Sequence, residues 1–385
     1  MLILKLIFRN AFRHKTRTGL TILGITIAIL AFGLLRTVVS AWYAGVEASS
    51  ANRLITRNAI SLVFPLPIAY KEKIRQTGGV KEVSYGSWFG GIYIDEKNFF
   101  ANFAVEPKSY LDIYPEFVLS PQERSAFLFD RKGFVAGRKL AEKYGWQLGS
   151  VVTLKGTIYP GDWDFNCRGV YRGKDKSIDE SQFFFHWDYL NETIKKTSPR
   201  RADQVGFYMI SVTEPEVAAE VAMIVDGAFK NSLAETLTET EKAFQMSFVS
   251  MTEAIVSVIQ IVSLIIIFII MAVVANTMVM TTRERLGEYA VLKTLGFGWR
   301  YIAVLIFGES LLITMLGCIL GVASTFPTAY AFAESMGTFF PVFNVEAKTI
   351  AFDFIAAFCV GIVAAVIPVR RAATIRIAEG LRRIG

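Results

Sequence analysis

The chain has 385 residues, of which 53% are apolar and only 19% charged, and its mean hydropathy is +0.41. Such a composition excludes an ordinary soluble enzyme. The formal net charge of +7 comes from basic clusters at the ends of apolar blocks, so a nucleic-acid partner is not expected.

The apolar residues gather at 19–35, 255–280, 301–326 and 350–368. Each block reaches or approaches the ~20 residues that a helix needs to cross a bilayer. Ahead of the first, Leu2, Leu6, Phe8 and Phe12 alternate with Lys5, Arg9, Arg13 and Arg17 at roughly helical spacing. Residues 1–18 therefore read as a cytoplasmic amphipathic helix. Its cations serve equally as a topogenic cluster or as ligands for lipid headgroups. The first span is placed at 19–43, with Arg36, Trp42 and Tyr43 at its outer end. No small-x-small site follows Leu35, so an uncleaved anchor is expected.

Residues 44–231 form a nearly neutral section expected to fold outside the cytoplasm as a mixed α+β domain. A helical pattern covers 67–77, with strands at 80–87 and 91–94 and a strand–helix–turn unit at 132–149. Paired strands follow at 150–155 and 165–171, further strands at 182–187 and 206–213, and a helix at 214–229. These units suggest two small subdomains. No Pro or Gly occurs between Asn231 and Arg285. A stalk helix at 232–254, continuous with a second span at 255–281, is expected on that ground. From 239 to 281 it would be ~65 Å long at 1.5 Å per residue.

Residues 282–300 join the second span to the third, at 301–327. The stretch MTTRERLGEYAVLKTLGFGWR (280–300) holds Arg283, Arg285, Lys293 and Arg300, which places it in the cytoplasm. Its helix formers predict a short helix stopped by Gly296 and Gly298. A charged helix tied to two spans is a lever for a soluble partner. Glu284 and Glu288, one turn apart, share a face for basic groups on that partner, and Gly287 leaves room for another backbone. In the third span Glu309 reads as a packing residue rather than a proton or substrate site, because no second ionisable group is read in the spans to partner it. Gly317 and Gly321 form a small-xxx-small pair for helix packing, and Pro327 is expected to end or kink the helix. An extracytoplasmic loop at 328–349, a fourth span at 350–368 and a cytoplasmic tail at 369–385 complete the chain. The tail is rich in Arg370, Arg371, Arg376, Arg382 and Arg383.

Chemistry is sparse. No GxxxxGK[ST] phosphate loop occurs. His14 and His186 fall in separate compartments, which argues against a metal site or a Ser–His–Asp triad. Cys167, Cys318 and Cys359 supply no disulfide framework. The acidic cluster of Asp162, Asp164, Asp175, Asp179 and Glu180 lacks calcium-loop spacing and reads as a solvated loop. No catalytic residue and no metal ligand are assigned.

The chain resembles the MacB–FtsX–LolC class of ABC transporter permeases along nearly its whole length. IFRNAFRHKTRTGLTILGITIA is similar to the usual start through Arg9, Asn10, Arg17, Leu20, Thr21 and Gly24. Residues 132–171 resemble the periplasmic core through Gly137, Leu140, Ala141, Leu148, Gly149, Val152, Leu154, Gly156 and Gly169. RERLGEYAVLKTLG looks like the coupling-helix signature through Arg283, Arg285, Gly287, Leu292, Leu295 and Gly296, departing at Leu286 and Tyr289. IPVRRAATIRIAEGLRR resembles the closing motif through Pro368, Arg371, Ala372, Glu379, Leu381 and Arg382. It departs at Arg376 and Ile377, where an Asp/Asn–Pro pair is usual.

The resemblance implies a multi-pass protein of the inner (cytoplasmic) membrane with both termini in the cytoplasm. It implies a dimer with a second permease copy or homologue, and a separate ABC ATPase subunit that binds ATP and Mg, so the chain itself is no enzyme and binds no cofactor. That ATPase is expected to engage Arg283, Glu284, Arg285, Gly287, Glu288, Leu292, Leu295 and Gly296. A periplasmic adaptor, an outer-membrane channel and membrane lipids are the further partners that it suggests. The function implied is mechanotransmission: hydrolysis by the ATPase moves the periplasmic domains for export or extraction of substrate. The alternative is an ABC-coupled activator of an envelope hydrolase, without transport.

Overall fold

In the computed structural model, which describes residues 2–336, 340 and 342–374, the basic start gives α1 (Leu2–Ala11) and α2 (Lys15–Ala48). α2 carries the first apolar block and runs past the expected 19–43 span through the helix-forming AWYAGVEA end. The polar section follows with β1 (Arg53–Asn58), β2 (Leu66–Pro67), α3 (Tyr70–Arg75), β3 (Val80–Trp88), β4 (Gly91–Ile92) and β5 (Asn102–Val105). Next come α4 (Pro107–Ile113), β6 (Phe117–Val118), α5 (Pro121–Phe129), β7 (Gly133–Gly137), α6 (Arg138–Tyr144), β8 (Val151–Gly156) and β9 (Gly161–Gly173). The section closes with β10 (Phe183–His186), α7 (Trp187–Thr197), β11 (Gln204–Val205), β12 (Phe207–Val212), α8 (Ala218–Ala228) and β13 (Thr236–Thr240). Helices end the described chain: α9 (Glu241–Met251), α10 (Glu253–Glu284), α11 (Leu286–Thr294), α12 (Trp299–Met336) and α13 (Ala347–Thr374). The motif residues Arg376, Ile377, Glu379, Leu381, Arg382 and Arg383 lie outside the described residues.

Two compact units emerge. One is built from Met1–Ala41, Thr252–Ser335 and Phe343–Gly385, the other from Trp42–Met251 with Met336–Val342. The helices α2, α10, α12 and α13 are long and apolar enough to cross a membrane.

The second unit is organised on one 11-stranded sheet, in the order β13-β1-β12-β3-β5-β10-β7-β9-β8-β4 with β6 on β9. The two subdomains expected from the strand–helix pattern are therefore one. β10 joins them, running parallel to β5 on one side and antiparallel to β7 on the other. Successive side chains of a strand point to opposite faces. Phe183 and Phe185 enter the core holding Phe89, Phe165 and Trp187, while Phe184 enters the one holding Tyr110, Phe127 and Tyr171. Both faces are covered, so all four residues of β10 are buried, three consecutive phenylalanines among them.

The expected stalk at 232–254 is corrected. Thr236–Thr240 is β13, which pairs antiparallel with β1. Its β-branched residues favour a strand, and the ladder places Thr238 Oγ1 2.9 Å from Thr56 Oγ1 and 2.7 Å from Asp226 Oδ1. Helix begins only at Glu241 and is interrupted at Thr252 (φ −114°, ψ 11°) before α10 starts. Absence of Pro and Gly permits a helix but does not require one.

α5 begins with a capping box: Ser120 Oγ accepts from Glu123 N–H, and the Glu123 carboxylate accepts from Ser120 N–H. Glu123 also accepts from Val170 N–H at 3.1 Å. Burial alone would raise its carboxyl, but these bonds hold it below the usual range. Asp130 behaves likewise: burial opposes ionisation, and bonds from Asn166 and Arg168 outweigh it. A depressed carboxylate stabilises the fold above its unfolded pKa and loses that contribution as pH falls through the folded value. Melting of the solubilised chain, followed by circular dichroism, is therefore expected to fall with pH below about 4.3. Glu123→Gln is expected to flatten that slope, and an unchanged slope would clear Glu123 of the role.

In the first unit α12 lies close to α2. A Cβ on Gly317 would stand 2.6 Å from Ile25 Cβ, and one on Gly321 2.7 Å from Ile29 Cβ. Thr26 Oγ1 sits 2.8 Å from Ile22 O and 3.3 Å from Gly317 O. α12 continues through Pro327 to Met336 rather than ending there. α13 likewise contains Pro368 and runs beyond the expected 350–368 span.

Candidate coupling site

α10 and α11 meet at a single residue. Arg285 (φ −106°, ψ 12°) is the C-cap of one and the N-cap of the other. Its N–H donates to Thr282 O at 3.2 Å, and its carbonyl accepts from Tyr289 N–H at 3.1 Å. The short helix expected within 280–300 is thus α11, joined to α10 through an elbow at Arg285. α11 stops in a Schellman arrangement, with Phe297 N–H to Leu292 O at 3.0 Å and Gly296 N–H to Lys293 O at 3.1 Å. Gly296 adopts φ +89° there, a conformation that favours glycine.

Arg285 is buried at the elbow. Its Nη1 donates to Glu309 Oε2 at 2.7 Å and its Nε to Glu288 Oε2 at 3.2 Å. The guanidinium lies 5.3 Å from the Tyr289 ring centroid. Glu309, on α12, is only 3% exposed. Glu309, read as a packing residue with no charged partner in the spans, is half of a buried ion pair. Its cation comes from the connecting segment rather than from a span, so a search of the spans alone misses it. The spans also hold Arg36 and Asp353, on α2 and α13, which that reading overlooked.

Glu284 and Glu288 do not form a free acidic face. Arg17 donates to Glu284 twice, at 2.9 and 2.7 Å, and His14 Nε2 lies 3.5 Å from the same carboxylate. Glu288 pairs with Arg13 as well as with Arg285. Burial opposes ionisation of Glu288, but the bonds from Arg13 and Arg285 draw its carboxyl below the usual range. The basic groups expected on a partner are supplied by the turn between α1 and α2 and by the start of α2. The signal was present as two complementary strings, RHKTR at 13–17 and RERLGE at 283–288. Their separation in sequence hid the pairing.

The remaining signature residues take different positions. Arg283 is exposed, while Gly287 and Leu292 are half-buried, Leu292 against the helix core. Lys293 Nζ donates to Ala373 O at 2.9 Å, where a cation meets the negative end of α13. Leu295 is 70% exposed, in company with the exposed Val291, Phe297 and Trp299. Gly317 and Gly321 are not part of this cluster and face α2. On the other side of the network, α1 buries Ile7 and Ala11 while Leu4 and Phe8 stay exposed. Gly308 of α12 makes room for Ile7.

The elbow thus carries charge pairs that are satisfied within the chain on one side and apolar residues that are not covered on the other. Residues 260–377 match the family described as FtsX-like permease C-terminal, a stretch that contains the whole elbow. Over 401 aligned residues the chain is 24% identical to an "Uncharacterized ABC transporter permease" of Methanocaldococcus jannaschii, covering 97% of this chain and 96% of that one. Among solved structures it is similar to the extracellular domain of a noncanonic ABC-type transporter from Gram-positive bacteria (TM-score 0.35, 13% identity, 49% of this chain and 100% of that one). A domain of a permease protein from Porphyromonas gingivalis gives a TM-score of 0.32 at 16% identity, over 49% of this chain and 90% of that one.

Proposed function

We propose that this chain, which carries an FtsX-like permease C-terminal domain, is the membrane subunit of an ABC transporter complex of the mechanotransmission type. A separate ATPase subunit would bind ATP and Mg and hydrolyse the nucleotide. The chain would pass the resulting movement through α11 and Arg285 to α10 and α12, and so drive export or extraction of substrate across the envelope. A second permease copy or homologue would complete the complex, joined outside the membrane by an adaptor and an outer-membrane channel. The basic clusters favour the inner membrane, with both termini in the cytoplasm.

The observation that carries this reading is the two-sided elbow. Its charged groups are held by α2, α12 and the turn between α1 and α2. Val291, Leu295, Phe297 and Trp299 form an exposed apolar rim that a soluble partner would cover. Pulling on α11 would load α10 and α12 together through Arg285.

The test is to tag the chain, purify it from native membranes and measure the ATP hydrolysis that comes with it. Leu295→Glu and Trp299→Glu are expected to lower that activity about tenfold, the effect of losing ~1.4 kcal/mol of association. Membrane insertion should persist, and Thr16→Ala should behave as wild type. Undiminished activity in both glutamate variants would remove the rim from the coupling surface.

A further inference from the structure

Asp353 lies on the buried stripe of α13, with Thr349, Ala357, Val360 and Gly361, and is 1% exposed. Neither carboxylate oxygen has a hydrogen-bond partner among the described residues. A Cβ on Gly33 of α2 would stand 3.2 Å from Asp353 Oδ2 and 3.3 Å from Thr325 Oγ1 of α12, so the acid is wedged where three helices meet. The neighbouring hydroxyl is committed elsewhere: Thr325 donates to Gly321 O at 2.9 Å. Arg36 of α2 is the charged group whose field reaches Asp353. Its guanidinium instead rests 4.6 Å from the Phe352 ring centroid, and its buried Nε has no hydrogen-bond partner among the described residues. From α12 the titratable neighbour is the buried Cys318.

An ionised carboxylate without donors is among the most costly groups a membrane helix can bury, and a neutral acid is far cheaper. We infer that Asp353 is a proton-binding site within the helix unit, with Arg36 as the cation that neutralises it once the proton has left. With the proton bound, the acid is neutral and Arg36 rests on Phe352. When the proton passes to water, the carboxylate takes a full negative charge and Arg36 pairs with it. The net charge of the two groups then falls from +1 to zero. An ion pair between α2 and α13 exists in one state and not in the other, which makes their packing a two-state element biased by protons. The inference rests on α2, α12 and α13 crossing the membrane and is independent of any ATPase.

Infrared difference spectroscopy of the full chain in lipid nanodiscs, titrated with pH, tests it. Asp353 is the only aspartate beyond Asp226 and none precedes Asp95, so carboxyl-labelled aspartate isolates it within the spans. A protonated-carboxyl C=O band is expected at neutral pH. It should shift with the label, vanish in Asp353→Asn and persist to higher pH in Arg36→Gln. If the label and Asp353→Asn alter only ionised-carboxylate bands at neutral pH, the proton site is wrong. Should Asp353→Asn fail to insert, labelled wild type against Arg36→Gln decides the matter. A labelled acid band raised by Arg36→Gln supports the inference, and an absent or unmoved one overturns it.

Discussion

Arg285→Met is expected to destabilise the helix unit by roughly 3–5 kcal/mol, because it leaves Glu309 buried without its cation. Glu309 is 3% exposed and reaches Arg285 at 2.7 Å, so solvent cannot take over the lost contact. Glu309→Gln should cost less. Arg285 would keep Glu288 at 3.2 Å, whose carboxylate is partly open to water, and the amide oxygen can still accept a hydrogen bond. Replacing both partners, as Arg285→Met with Glu309→Leu, should recover most of the loss, since an apolar pair of similar volume is often neutral against a buried ion pair. Thermal unfolding of the purified chain in detergent, followed by circular dichroism, orders the four proteins. An Arg285→Met melt at the wild-type temperature would mean that the pair contributes nothing. A double variant no better than Arg285→Met would mean that the arginine acts through something other than Glu309.

The parts of the fold that were legible in the sequence are those set by composition and local period. The four apolar blocks are visible because a spanning helix needs a long run of one kind of residue, and α2, α10, α12 and α13 follow them. The paired strands β8 and β9 show because their burial alternates residue by residue. β10 shows through the phenylalanines at 183–185 within the strand expected at 182–187, but its role as the bridge between β5 and β7 does not, since a strand covered on both faces carries no mark of its neighbours. β13 was misread for a related reason. TLTET has no breaker, and only its pairing with β1, far away in sequence, makes it a strand.

The site divides in the same way. The elbow's stop is written locally in Gly296. Its electrostatics are not, because each carboxylate finds its cation on another element: Arg17 for Glu284, Arg13 for Glu288, Arg285 for Glu309. Pairings of that kind are properties of tertiary structure that helical spacing within one segment cannot supply. Asp353 escaped notice because a single acid in IAFDFIAAF barely lowers the hydropathy of its block.

Charge reversal of the elbow is expected to weaken the proposed coupling far more than it weakens the fold. The Arg13–Glu288 and Arg17–Glu284 pairs are partly exposed, and exposed pairs contribute ~0–1 kcal/mol each. Removing them should barely move the melting temperature. Their geometric role is larger, since together they fix α11 against the turn between α1 and α2, on which movement of the elbow would act. Glu284→Lys with Glu288→Lys turns both contacts repulsive and should lower the co-purified ATP hydrolysis by roughly 5–150-fold, the span of a typical coupling of 1–3 kcal/mol. Adding Arg13→Glu and Arg17→Glu restores opposite charges at the two contacts with the N-terminal segment, though not at the contact of position 288 with Arg285, and should return a large part of the activity. That rescue separates two mechanisms. If the carboxylates act by holding the N-terminal segment, reversal of both sides repairs the defect. If they contact the ATPase directly, the quadruple variant stays inactive because the partner still meets lysines. An inactive quadruple variant with a wild-type melting temperature would therefore move Glu284 and Glu288 from the internal network to the partner interface.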